Sequence, residues 1–391
     1  MSSPLIELNE DLKALREKGY NIDIHGAYLI VRDIPYYNQA KEIKRDGILI
    51  TELTLNGDQT TAPKRHQMRF VGECPCDAQG NRLEAIRPSD DTHRISEKLT
   101  ANIEFSNKPA AGYPNHFVKV QNYAALISGP TGISPMSFTV VEPEPDESPF
   151  NYLDTASAGA GISMVTEKLT VEKLAIVGIG GTGSYVLDLL AKTPVKEIHL
   201  FDGGKFSSHN AFRAPGAPAI EELRTQPHKV DYFHGIYSKM HRGIVAHAEH
   251  VDESNVGLLL DMSAVFLCMD AGPGKRLIVE TLNGTGVPFF DASMGLFEKE
   301  ETLGGVVQLT TSTSKNRDQA KGRMNLADTD APNDYDRNIQ VADLNALAAQ
   351  LAVLRWKKMR GFYLGRERAN YYAFSVARSQ LLREDIYDEG E

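Results

Sequence analysis

The chain of 391 residues reads as an α/β protein with a doubly wound, mainly parallel sheet, preceded by a smaller α+β domain. Three observations predict this. Residues 173–202 run as strand, glycine-rich turn, helix and strand. Apolar strands and helical stretches alternate after them. A stretch at 140–152, VVEPEPDESPFNY, alternates Pro with acids and reads as an extended linker that sets off everything before it. The expected domains are therefore 1–145 and 151–391.

Composition narrows the class. With 41% hydrophobic residues there is chain enough for two cores. A formal net charge of −10 argues against a nucleic-acid partner, because phosphate binding requires a concentrated basic surface. The first residues, MSSPLIELNEDLKALREKG, mix charges into their apolar positions and do not read as a signal peptide. No run of 18 or more apolar residues occurs, so no membrane span is expected. Three cysteines, Cys74, Cys76 and Cys268, are too few for a disulfide framework. A cytoplasmic protein is the expectation.

In the first domain, 9–18 has a helical pattern, while 28–31 and 48–55 read as strands, with Asn56-Gly57 as a hairpin turn. Residues 68–72 and 123–127 are expected to be further strands. Cys74-Pro75-Cys76 reads as a turn carrying two semi-buried thiols, and 105–109 and 129–132 as loops open to a partner. The domain as a whole is expected to bind partners.

In the second domain, strands are expected at 174–177, 197–201, 245–251, 265–269, 287–291 and 304–311. Helices are expected at 184–192, 229–241, 274–282 and 339–359. The last carries an apolar stripe of Ile339, Leu344, Leu347, Leu351 and Leu354, with Trp356 near its end. The acidic tail 384–391 reads as a solvated end.

Chemistry concentrates behind the first strand of this domain. Gly178, Gly180 and Gly183 fit G-x-G-x-x-G, with Gly181 adding backbone freedom, so the turn is Rossmann-like and suits an anion at a helix N-terminus. Asp202 follows at the end of the second strand, where an acid hydrogen-bonds a ribose hydroxyl. Up to this point a nicotinamide cofactor and ATP fit equally well. Asn210, Arg213 and Lys229 come next. Two cations beside the phosphates suit attack on the α-phosphorus of ATP, where charge builds on phosphoryl oxygens and on pyrophosphate. Arg grips such oxygens as a fork and Lys as a point charge. Asp270 ends the buried-strand pattern AVFLCMD, where a carboxylate can hold Mg²⁺.

These motifs, GIGGTGS, FDGGKFSSHNAFR, MDAGPGKR and NIQVADLNALAAQLAV, resemble in order and spacing the ThiF/MoeB/HesA family of adenylating enzymes, which shares its catalytic fold with ubiquitin-activating enzymes. The resemblance spans about residues 173–377. It implies that Asp202 binds the ATP ribose, Asn210 and Arg213 contact phosphates, Lys229 neutralises the transferring phosphoryl group and Asp270 binds Mg²⁺. The implied reaction is adenylation of the C-terminal glycine carboxylate of a ubiquitin-like or sulfur-carrier protein. A conjugating enzyme as a further partner, and a homodimer, are also implied.

The chain departs from the family in three ways. It lacks the paired C-x-x-C motifs of zinc-binding members, so no structural zinc is expected. The crossover segment 306–338 contains no cysteine for a thioester. Its hydroxyls at Thr310, Thr311, Ser312, Thr313 and Ser314 are weak nucleophiles without an adjacent base, and a polar solvated loop is the simpler reading. No arginine stands between 151 and 170. A scaffold retaining the fold without catalysis is the alternative, but it has no reason to keep Asp202, Asn210, Arg213, Lys229 and Asp270 together. An NAD-dependent oxidoreductase would need a proton donor that no motif supplies.

Overall fold

The computed structural model describes residues 4–86, 88–139, 148–326, 339–365 and 369–385. They fall into two compact units, Met1–Glu147 with Tyr152–Thr166, and Ser148–Asn151 with Glu167–Glu391. Of the expected linker, 140–147 lies outside the described residues, as do 386–391 of the acidic tail.

After a short helix at Pro4–Leu8, the first unit continues with α1 (Glu10–Glu17), which buries Leu12 and Leu15. Asn9 precedes it and ties it to the turn at Gly57: Nδ2 donates to Leu5 O and Asp58 O, and Oδ1 accepts from Thr60 N. Five antiparallel strands follow in spatial order, β1 (Asn21–His25), β2 (Tyr28–Tyr37), β3 (Ile43–Glu52), β4 (Met68–Val71) and β5 (Ile103–Phe105). Residues 123–127 are not the strand that their apolar run suggests. They lie in α2 (His116–Ser128), capped by Asn115, whose side chain accepts from Val118 N at 2.9 Å. The deciding signal is the wider window: Val120, Tyr123, Ala124 and Ile127 fall at i, i+3, i+4 and i+7, and all four are buried.

A polar contact joins α1 to α2 inside this core. Asp11 Oδ2 accepts from His116 N at 3.0 Å and lies 3.3 Å from His116 Nδ1, while Oδ1 accepts from Thr60 Oγ1 at 2.7 Å. Burial pushes the Asp11 carboxyl up, but the hydrogen bonds from His116 and Thr60 outweigh it and hold the group below its ordinary range.

The second unit is built on one eight-stranded sheet. Its strands in chain order are β6 (Lys173–Val177), β7 (Glu197–Phe201), β8 (Ile244–His247), β9 (Ala264–Leu267), β10 (Phe289–Lys299), β11 (Thr302–Ser312), β12 (Ala369–Ser375) and β13 (Gln380–Asp385). Spatially they run β8-β7-β6-β9-β10-β11-β12-β13, parallel as far as β10 and antiparallel beyond. β6 and β9 are buried on both faces, as uninterrupted runs such as AVFL require. Leu174, Ile176, Phe266 and Phe290 face one core; Ala175, Val177, Val265 and Phe289 face the other. β12 and β13 were not anticipated, because these short, half-polar stretches become strands only by pairing, β12 to β11 and β13 to β12.

Two expectations need correction here. Thr310, Thr311 and Ser312 are not solvated: they are buried in β11, and Ser312 Oγ accepts from an Arg317 guanidinium N–H at 3.0 Å. The late helix, α6 in the order α3 (Gly181–Leu190), α4 (Lys229–Tyr237), α5 (Pro273–Asn283) and α6 (Ala342–Met359), buries the leucine stripe only in part: Leu344 is buried, and Ile339, Leu347 and Leu351 pack against the core. Leu354 is 40% exposed, and the buried face is Leu344, Asn345, Ala348, Ala349, Ala352, Val353 and Trp356. Alanine wins because α6 packs on α3, whose first turn is glycine-rich and admits close approach.

One ion pair lies wholly inside this unit. Lys275 Nζ of α5 sits 2.6 Å from Asp291 Oδ1 of β10, both side chains being 2% exposed. Burial pushes the Asp291 carboxyl up from its ordinary range, against the pull of Lys275. Removing one partner leaves the other charge uncompensated in the core.

Two stability tests follow from these contacts. Asp11→Asn should lower the stability of the first unit at neutral pH. The deficit should shrink as pH falls through the ordinary aspartate range and vanish below the depressed Asp11 value, because a lowered carboxyl pKa contributes only while the group is ionised. Urea melts followed by far-UV circular dichroism, set against fluorescence of the single Trp356 in the second unit, separate the two. In the second unit, Lys275→Met should cost about 3–5 kcal/mol, and the double change with Asp291→Leu should recover most of it.

Candidate active site

The site is assembled at the carboxyl ends of β6, β7 and β9, around a turn that only glycine can make. Gly178 leaves β6 with φ +89, and a Cβ there would sit 2.5 Å from Cys268 O. A Cβ at Gly183 would run into Gly178 O, and one at Gly181 into the Asn345 side chain. Gly180, the N-cap of α3, has φ −85 and faces open space. Gly178 and Gly183 are thus required by backbone packing and Gly181 by the Asn345 side chain; the fourth, Gly180, keeps the approach to the helix N-terminus clear.

Asp202 follows β7 directly and organises the turn. Its Oδ2 accepts from Ile179 N at 2.8 Å and its Oδ1 from Gly204 N at 2.7 Å. Lys229 Nζ lies 3.1 Å and 3.2 Å from the two oxygens. Lys229 reaches this position because residues 204–206 pair with 227–229: Lys229 N donates to Gly204 O at 3.0 Å and Phe206 N to Pro227 O at 2.8 Å. Phe206 then stacks on Tyr232 of α4 at 3.9 Å between ring centroids, fixing the helix that carries the lysine.

Asn210 and Arg213 stand on and just beyond the short helix Ser208–Ala211. Asn210 Oδ1 accepts from both Ser207 N and Ser207 Oγ at 3.0 Å. A backbone N–H can only donate, so the amide orientation is determined and Nδ2 points away from the cap. That Nδ2 is buried without a hydrogen-bond partner, and so is Arg213 Nε. The neighbouring His209 imidazole is held below its ordinary range, first by burial and then by the charges of Arg213 and Lys229. Both cations therefore act on the same small volume.

Asp270 lies three residues beyond the end of β9 and is exposed. The loop that carries it runs beside the glycine turn, since a Cβ at Gly178 would also lie 3.2 Å from Met269 Cβ. The residues singled out by sequence thus reach one edge of one sheet: the four glycines, Asp202 and Lys229 in direct contact, Asn210 and Arg213 on the following segment, and Asp270 on the adjoining loop. None of the cysteines is an activated nucleophile. Burial is the leading influence on each thiol and pushes Cys74, Cys76 and Cys268 up from the ordinary range.

Asn345 was missed. It is fully buried on α6, its Oδ1 accepting from Thr182 Oγ1 at 2.9 Å and its Nδ2 donating to Arg213 O at 3.4 Å. It therefore couples the first turn of α3 to the arginine segment. The available signal was a single amide within LNALAA, a stretch otherwise apolar.

The glycines give a paired test. Gly183→Ala should destabilise the second unit by about 1–3 kcal/mol or more, because the added carbon meets backbone rather than a movable side chain. Gly180→Ala meets no neighbouring atom and should cost less, about 0.5–1 kcal/mol for replacing glycine by the poorer N-cap alanine, so thermal melts of the two variants should diverge.

Comparison with known proteins places this geometry. Residues 10–155 match the model of a domain of unknown function, DUF6791, and residues 156–360 match the model described as the ThiF family. No curated protein matches the chain. Among solved structures, PaaA aligns at 16% identity and TM-score 0.42 over 57% of this chain and 67% of that one. E. coli MccB with ATP aligns at 15% and 0.44 over 59% and 68%. The Microcin C7 biosynthetic enzyme MccB in complex with N-formylated MccA aligns at 16% and 0.46 over 59% and 69%. With the ThiF model covering more than half of its residues, across the glycine turn, Asp202, Lys229 and Asp270, the chain belongs to the ThiF family.

Proposed function

We propose that this protein uses ATP to adenylate the C-terminal glycine carboxylate of a ubiquitin-like protein, releasing pyrophosphate. The observation that carries the reading is the pair of buried, unpartnered donors, Asn210 Nδ2 and Arg213 Nε, on the segment that Asn345 ties to the first turn of α3. Buried donors without acceptors are costly. Phosphate oxygens would satisfy both, and the Arg213 and Lys229 cations would offset the negative charge those oxygens carry.

The roles follow from position. The glycine turn and the N-terminus of α3 receive phosphate, with Gly180 leaving room for it. Asp202 sits at the end of β7, where a ribose hydroxyl would compete for an oxygen now shared with Lys229, so nucleotide entry would free the lysine to turn toward the phosphates. Arg213 and Lys229 then stabilise charge developing on the α-phosphoryl oxygens as the carboxylate attacks and pyrophosphate departs. The exposed carboxylate of Asp270 suits a hard cation that prefers oxygen ligands, and it would hold Mg²⁺ against the triphosphate. Asn345 positions the arginine by holding its carbonyl.

The test is exchange of labelled pyrophosphate into ATP in the presence of candidate substrate proteins. Exchange should depend on a ubiquitin-like protein with a free C-terminal glycine. Arg213→Ala and Asp270→Ala should each lower it by about 100-fold or more while leaving circular dichroism unchanged. Near-normal exchange in both variants would sink the assignment. Exchange with a sulfur-carrier protein alone would redirect the substrate, and none with any protein would favour a scaffold.

A further inference from the structure

A second set of reactive groups lies in the first unit, remote in sequence from the nucleotide turn. Ser106 Oγ and His66 Nε2 are 3.0 Å apart. Both residues are half-buried and so open to solvent on one side. They are mounted on neighbouring strand ends: Met68 of β4 pairs with Phe105 of β5, so His66 and Ser106 extend from paired strands just past the last bridge.

The mounting is rigid. The buried phenol of Tyr123 donates to His66 O at 2.8 Å and accepts from Asn107 N at 2.7 Å, clamping the chain on both sides of the pair. Tyr113 OH adds a bond to Asn107 O at 2.9 Å, and Ser106 N donates to Ile86 O at 2.8 Å. A hydroxyl is a weak nucleophile alone but an effective one when a positioned base takes its proton, and 3.0 Å lies within the reach such a base requires.

We propose that Ser106 and His66 form a nucleophile and general base that accept an activated acyl group as an oxyester. Ser106 Oγ attacks the carbonyl carbon, its proton passes to His66 Nε2, and the bond from that carbon to the leaving oxygen breaks with its electron pair on the departing group. The donor class is a carboxylic acyl group activated as an anhydride or ester. That the donor is an acyl adenylate, with AMP leaving, rests on the function proposed above. The electrostatics support the base role: burial first, then the charges of Lys108 and Lys119, hold the imidazole below its ordinary range against the opposing pull of Glu104, which keeps His66 neutral near pH 7.

The test needs no ATP, so it stands or falls apart from adenylation. The full chain is treated with a fluorophosphonate, a probe of activated serine hydroxyls, and analysed by intact mass and peptide mapping. One adduct on Ser106 is expected, absent from Ser106→Ala. His66→Gln should slow its formation by about 100-fold at pH 7.5, with both variants melting as the parent does. In the parent the labelling rate should rise with pH through a single ionisation below 6.5, the ordinary histidine value. An adduct that persists in Ser106→Ala, a rate unchanged in His66→Gln, or no adduct at saturating probe overturns the proposal.

Discussion

The contact on which the second unit depends is the approach of the α3 backbone to the carbonyl of Gly178. No side chain fits between them, and none fits between Gly181 and Asn345 or between Gly178 and Cys268 O. That closeness sets α3 onto β6 and β9 at short range and points its first N–H groups past the sheet edge. α6, which packs on α3, turns Ala348, Ala349 and Ala352 inward, and its Asn345 side chain fills the space beside Gly181.

Around this frame the polar groups divide by how completely they are satisfied. Asp202 is saturated: two backbone donors and Lys229 use its oxygens, and the carboxylate holds the turn as well as the lysine. Lys275 and Asp291 form an ion pair out of reach of solvent. Asn210 and Arg213 are different, each keeping one buried donor unspent. Two unspent donors on one segment at the carboxyl end of the sheet suit a ligand that carries acceptor oxygens. The first unit follows the same logic at a different place. Asp11 and His116 are spent on joining two helices, and Tyr123 on joining two strand ends, which leaves the Ser106 hydroxyl and the His66 ring facing one another at the surface.

Much of this was legible in the residues. The run Leu174-Ala175-Ile176-Val177 followed by spaced glycines specifies a strand and a turn wherever it occurs, because φ > 0 and missing Cβ atoms are local requirements. β7 was read to its boundaries for a similar reason, an apolar run closed by an acid. What failed were stretches whose outcome is set by a partner. YAALI at 123–127 is apolar enough for a strand, yet Asn115 caps a helix that begins earlier. Thr310, Thr311 and Ser312 look solvated in isolation and are buried because β10 and β12 pair on either side.

The sequence by itself determined the glycine turn, the order of strands and helices behind it, and the identity of the charged residues, since each rests on backbone freedom or periodicity within a short window. Only the tertiary structure decided which face of α6 turns inward, that Asp202 and Lys229 touch, and that Asn345 ties α3 to the arginine segment. It alone left Asn210 Nδ2 and Arg213 Nε buried and unpaired, and set His66 against Ser106. Those facts depend on segments distant in the chain meeting within hydrogen-bond range, and no local pattern encodes a distance.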